Sequence, residues 1–259
     1  MKKTMKQMAF TLAETLIVMG VIGVVAALTI PSLTNSTNEK DTVTKVRKVH
    51  AALEDAFGRM IATSGEFETW GSDLNTTFGP RLISSMKITK NCQSGSSEKC
   101  FDNDSTTKDF TTAGAAGSNI NGSTSIYKFI MADGAAAALN VSDNNCVTSA
   151  GGRSDVCGIA TVDVDGPGAG KHAYGADMFS FYITKTGFYP VGTDGDATFN
   201  YTTGCTQAAN PTVGSTAAKA CTAWVVYNGN MDYKKADSSG KCITNSTKAL
   251  DFAANTSCD

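Results

Sequence analysis

Between Phe10 and Ile30 the chain reads FTLAETLIVMGVIGVVAALTI, and this stretch constrains the molecule more than any other. Fifteen of its 21 residues are aliphatic, aromatic or Met, and Glu14 is its only charge. A helix of that length spans about 30 Å, the thickness of a bilayer's hydrocarbon core. The nine residues before it, MKKTMKQMA, carry three lysines and no acid, which orients such a span with its N-terminus in the cytoplasm. Everything beyond about residue 34 is then extracytoplasmic.

Glu14 is the anomaly in that span. An ionised carboxylate inside a bilayer costs about 2.5–3.5 kcal/mol on insertion scales, unless it reaches the interface or finds a cation. The chain offers no Lys or Arg between Lys6 and Lys40. A counter-charge for Glu14 therefore has to come from elsewhere, or the side chain has to snorkel to the interface.

A lysine-rich leader, Ala9 then FTLAE, an aliphatic helix containing Gly23, and Pro31 twenty-one residues after Phe10 together resemble the N-terminus of type IV pilins and type II secretion pseudopilins. The resemblance covers residues 1–33. It implies cleavage between Ala9 and Phe10 by a prepilin peptidase and methylation of the new Phe10 amine. The family usually carries Gly before the cut, where this chain has Ala9. The resemblance also implies that Glu14 pairs with the Phe10 ammonium of a neighbouring subunit, which supplies the missing cation in a low-dielectric layer. A helix kink is expected around Gly23 and Pro31, because Pro31 cannot donate to the carbonyl of Ala27. The implied partners are copies of the chain and other pilins in a helical filament, the peptidase, an assembly platform and ATPase, and membrane lipid before assembly. The implied location is the inner membrane as precursor, then an extracytoplasmic filament.

The rival reading is a secretory signal peptide with an apolar core from Thr15 to Val25 and cleavage after Val25-Ala26-Ala27, leaving Leu28 first. That reading gives Phe10, Glu14 and Pro31 no role.

Downstream, TNSTNEK over residues 34–40 interrupts the helix or leads it into water. Val43, Val46, Leu53, Phe57 and Met60 with Ile61 then fall on one helical stripe, with Lys45, Lys48, Asp55 and Arg59 off it. Ser64-Gly65 is the stop signal. From Gly65 onward lie 22 of the 25 glycines, among many Ser, Thr, Asn and Asp. Strands are read at Ile126–Met131, Ala135–Val141, Ile159–Val164, Met178–Thr184 and Phe188–Val191. A hairpin is read from Ala223–Tyr227 to Asn230–Tyr233 across Asn228-Gly229. Irregular loops are expected at 88–122 and 193–220. The fold class is α+β: a leader (1–9), a filament-core or transmembrane helix (10–33), an amphipathic helix (34–64), and a head with an antiparallel sheet (65–259). Val162 to Ile183 loosely resembles a segment common in pseudopilins, without its Pro-Asn.

All eight cysteines, Cys92, Cys100, Cys146, Cys157, Cys205, Cys221, Cys242 and Cys258, lie in the head and none has CxxC spacing. In an exported domain an even set reads as disulfides. Eight cysteines allow 105 pairings. The sequential one is favoured because each bond then closes a loop without regular structure.

Catalytic patterns are missing from the sequence. GPGAGK at 166–171 has Asp165 where a phosphate loop needs its first Gly, and His172 where it needs Ser or Thr. His172, near Tyr174 and Asp177, reads as a surface-loop histidine. Asp163, Asp165, Asp177, Asp194 and Asp196 are calcium candidates, because major pseudopilins as a family bind calcium in a C-terminal loop. An EF-hand is excluded by Thr161 and His172 at its end positions. Asp-Gly pairs also occur in plain turns. A net charge of −2 and a pI near 5.7 give no basic field for nucleic acid. The expected function is that of a structural filament subunit, not an enzyme. The alternative is a minor or tip pilin acting as an adhesin or in DNA uptake.

Overall fold

The computed structural model describes residues 12–66, 74–95, 100–101, 124–168, 172–193, 195–206, 216–237 and 239–258. The chain divides into two units, residues 1–41 and 42–259. Helix α1 (Leu12–Ser64) contributes to both.

In the first unit the window Leu12–Thr29 has a mean hydropathy of 2.2 and buries none of its residues. Leu16, Ile17, Met19, Val24 and Leu28 are all more than half exposed. The hydroxyls in this segment are satisfied within the helix: Thr15 donates to the carbonyl of Leu12 and Thr29 to that of Val25, both at 2.9 Å. Such local bonds let threonine sit in an apolar helix without presenting an unpaired donor. The helix runs on through positions 23 and 31 and through residues 34–40. Of the two sequence expectations for that polar stretch, the structure adopts continuation.

In the second unit α1 becomes amphipathic. Val43, Val46, Val49, Leu53, Ala56, Phe57 and Met60 are buried, at spacings of three and four that keep one stripe against the core. Gly65, with φ of +79°, ends the helix and donates to the carbonyl of Ile61. Helix α2 (Leu74–Ser84) follows. It has no counterpart in the sequence reading, which assigns no element between Gly65 and residue 88. Gly79 lies against Tyr127, and a Cβ there would come within 2.3 Å of the ring.

Seven strands form one antiparallel sheet: β1 (Ile88–Gln93), β2 (Ile126–Met131), β3 (Ala136–Val141), β4 (Thr148–Ala150), β5 (Arg153–Asp163), β6 (Met178–Thr184) and β7 (Gly187–Pro190). Their order is β1-β2-β3-β5-β6-β7, with β4 paired to β5. Strand β1 corrects the expectation of an irregular 88–122, of which residues 96–99 and 102–122 lie outside the described set. All seven residues of β6 are buried, so the sheet is covered on both faces. Phe181 stacks on His50 of α1, with centroids 5.1 Å apart. Its neighbour Tyr182 points the other way, packs near Phe199 and donates to Asp196 at 2.9 Å.

The expected hairpin at 223–233 does not form. Cys221–Asn228 is helix α3, and Asp232–Lys235 is a 3₁₀ turn. Asn-Gly marks a position with positive φ, and a helix C-terminus uses that as readily as a hairpin does. Here Gly229, at φ of +70°, donates to the carbonyl of Val225. A small ribbon of β8 (Lys241–Cys242) and β9 (Asn245–Ala249) follows. The architecture is α+β, with an apolar N-terminal helix, an antiparallel sheet and disulfides.

Candidate functional site

Of the N-terminal residues singled out in the sequence, Ala9 and Phe10 lie outside the described residues. Glu14 lies in the first described turn of α1. Gly23 has no neighbouring atom within 4 Å of where a Cβ would stand. Seventeen of the 18 residues from Leu12 to Thr29 are exposed, and together they form a surface that water solvates poorly. By length and composition the segment suits a membrane anchor or a signal sequence.

The eight cysteines pair in chain order: Cys92–Cys100, Cys146–Cys157, Cys205–Cys221 and Cys242–Cys258. No cysteine is free. Each bond pins an irregular segment to an element of the fold. Cys205–Cys221 ties a π-helical turn (Thr202–Thr206) to the start of α3, and Cys242–Cys258 ties the last residues to β8. The C-terminal tie is reinforced by Asp232, which accepts from the backbone N–H of Cys258 at 2.7 Å and from Lys235 at 2.7 Å.

The calcium candidates have other partners. Asp163, fully buried at the end of β5, lies 2.6 Å from Nδ1 of His172 and accepts the N–H groups of Asp165 and Gly166. Asp177 accepts the N–H groups of His172 and Ala173. Asp165 pairs with Lys45 of α1 at 2.9 Å. Asp196 accepts from Tyr182, Gly192, Thr198 and Phe199. Asp194 lies outside the described residues. Among the described residues no three His, Cys, Asp or Glu side chains converge as a metal cage. These carboxylates accept hydrogen bonds from the backbone amides of their own loops.

His172 is not a surface-loop residue, which corrects the sequence reading. Its side chain is 10% exposed, and it sits at φ of +48° against the buried Asp163. Burial pushes the Asp163 carboxyl up to about 7; the bond from His172 opposes this and the nearby Asp177 adds to it. A contiguous motif could not have signalled this pair, because the two residues are nine positions apart and meet only when the loop closes.

Sequence reasoning also missed a set of α1 side chains that bind the head's backbone. Arg47 donates to the carbonyls of Val226 and Tyr227 at the end of α3. His50 and Glu54 bind the two backbone polar groups of Phe188. All three lie beside the apolar stripe, where polar residues ordinarily read as solvated. An open groove of about 610 Å³ between α1 and the β2–β3 turn is rimmed by Lys48, Lys87 and Arg59. Two of these cations are matched locally, Lys48 by Asp133 and Arg59 by Asp55.

No family model, no curated protein and no solved structure matches this chain.

Proposed function

We propose that this chain is a structural subunit of a type IV pilus-like or type II secretion pseudopilus filament. A prepilin peptidase cuts it between Ala9 and Phe10 and methylates Phe10, and the chain assembles through its N-terminal helix. One observation carries this reading: a single helix, Leu12–Ser64, is unburied and predominantly apolar over its first third and buries an amphipathic stripe in the head over its last. An apolar surface of that extent is stable only under lipid or under other apolar helices. A filament core of bundled helices provides the second cover after a membrane provides the first. Glu14 then faces the Phe10 ammonium of a neighbouring copy. The four disulfides suit a head exposed outside the cytoplasm, where thiols oxidise. The chain's work is assembly; it is a substrate of the peptidase and cargo of a platform and ATPase. Service as a minor or tip subunit with a binding role uses the same N-terminus.

Mass spectrometry of the N-terminal peptide from membrane or filament fractions tests the processing. A chain beginning with N-methylated Phe10 is the expected result. A chain beginning at Leu28 marks a secreted protein and contradicts the reading.

A further inference from the structure

Strand β7 ends the sheet order, so among the described residues one of its sides has no strand partner. Such an edge is a template for pairing with another chain unless it is covered. The β6–β7 register places Thr184 opposite Gly187, Ile183 opposite Phe188, Tyr182 opposite Tyr189 and Phe181 opposite Pro190. In an antiparallel pair, alternate residues direct both backbone polar groups toward the partner and the ones between direct them away. The N–H of Val191 bonds the carbonyl of Ser180 across this pair, which puts Gly187, Tyr189 and Val191 on the inward set. Phe188 and Pro190 therefore form the outward set, and Pro190 has no N–H to offer.

The remaining outward pair, the N–H and C=O of Phe188, is taken by two side chains one turn apart on α1. The carbonyl lies 2.8 Å from Nε2 of His50, and the N–H donates to Oε1 of Glu54. His50 is held in place by its stacking on Phe181, and Phe57 meets the Phe188 ring edge-on at 6.0 Å. Gly187 makes room for the carboxylate, since a Cβ there would lie 2.8 Å from both Glu54 oxygens.

We infer that His50 and Glu54 act as an edge guard: they occupy the outward hydrogen-bonding pair of β7 and so prevent the sheet from extending into β7 of a second copy. Two such edges brought together antiparallel about Phe188 would exchange the same two bonds, N–H to C=O each way, that the guard now makes. The inference stands apart from the filament reading, because it concerns the head's sheet and not the apolar helix.

The test compares full-length protein in detergent micelles, where association through the apolar helix is common to every variant. Hydrogen exchange at the Phe188 amide and sedimentation-derived self-association are measured for wild type, His50→Ala/Glu54→Ala and His50→Gln/Glu54→Gln. The alanine pair is expected to exchange at least tenfold faster at Phe188 and to self-associate at least tenfold more tightly. The glutamine pair retains a donor and an acceptor and is expected to match wild type in both. Exchange within twofold of wild type in the alanine pair, faster exchange without tighter association, or a glutamine pair that behaves like the alanine pair would each overturn the inference. Should the alanine pair lose its near-UV circular dichroism, Glu54→Ala alone, with His50 retained, serves for the same comparison.

Discussion

The Arg47 guanidinium occupies the space that a side chain at Gly229 would fill: a Cβ there would stand 2.7 Å from its Nη2. Arg47 also caps the open carbonyls at the end of α3, through Val226 and Tyr227. Gly229→Ala therefore meets two penalties, a left-handed backbone costing about 1–2 kcal/mol and displacement of the cap. In an Arg47→Ala background only the first remains. A double-mutant cycle by chemical denaturation is expected to give a smaller loss for Gly229→Ala when Arg47 is absent; equal losses would show that the two residues are independent.

Two other glycines separate backbone freedom from space. Gly158 in β5 faces β3 so closely that a Cβ would lie 2.0 Å from the carbonyl oxygen of Asn140. Gly58 on α1 has nothing within 4 Å of that position. Gly158→Ala is expected to destabilise by more than about 2 kcal/mol through forced strand separation. Gly58→Ala is expected to stabilise by about 0.5–1 kcal/mol through helix propensity. Melting temperatures shifted in the same direction by both variants would contradict this.

Acid should loosen the head by a route that can be traced. Asp143 is held down at about 2 by the Thr148 side chain first and by the amides of Asn145, Val147 and Thr148, which together outweigh the opposing effect of burial. Asp251 is held at about 2 by the amides of Ala254 and Asn255. Both folded values lie below the unfolded one, so their contribution is present above about pH 4 and is lost as pH falls toward 2. Asp163 acts in the opposite sense: its value is raised, so its share is greatest below about pH 4 and is lost as pH rises through 7. Urea titrations of Asp143→Asn and Asp251→Asn between pH 5 and 2 are expected to show a shallower loss of stability than wild type. An unchanged slope would refute the assignment.

The disulfides differ in what they close. Cys205–Cys221 spans 16 positions and Cys92–Cys100 spans 8. In the chain-entropy model the longer loop contributes about 3 kcal/mol and the shorter about 2.5. Replacing each pair with serine and measuring denaturation midpoints is expected to rank the longer loop as the costlier loss.

The long helix, its apolar and amphipathic parts, strands β2 and β6 and the chain-order disulfides were legible, because each rests on local periodicity or on short loop closure. Helix α3 was misread: Asn228-Gly229 signals positive φ, and what lies on either side of that position is decided by tertiary packing of Trp224 and Val225. Helix α2 was missed because Gly79 and Pro80 look like breakers until Tyr127 is brought against them. The Asp163–His172 pair and the grip of His50 and Glu54 on Phe188 depend on residues that meet only in three dimensions; the latter are separated by more than 130 positions. Nothing in a linear pattern marks such pairs.

The filament proposal turns on Glu14, the one carboxylate in the apolar span. Quantifying filaments from cells producing Glu14→Ala, alongside the processed fraction of the chain, tests it most directly. The proposal expects normal removal of the leader and at least a tenfold fall in assembled subunit. Normal processing with assembly at the wild-type level would contradict it.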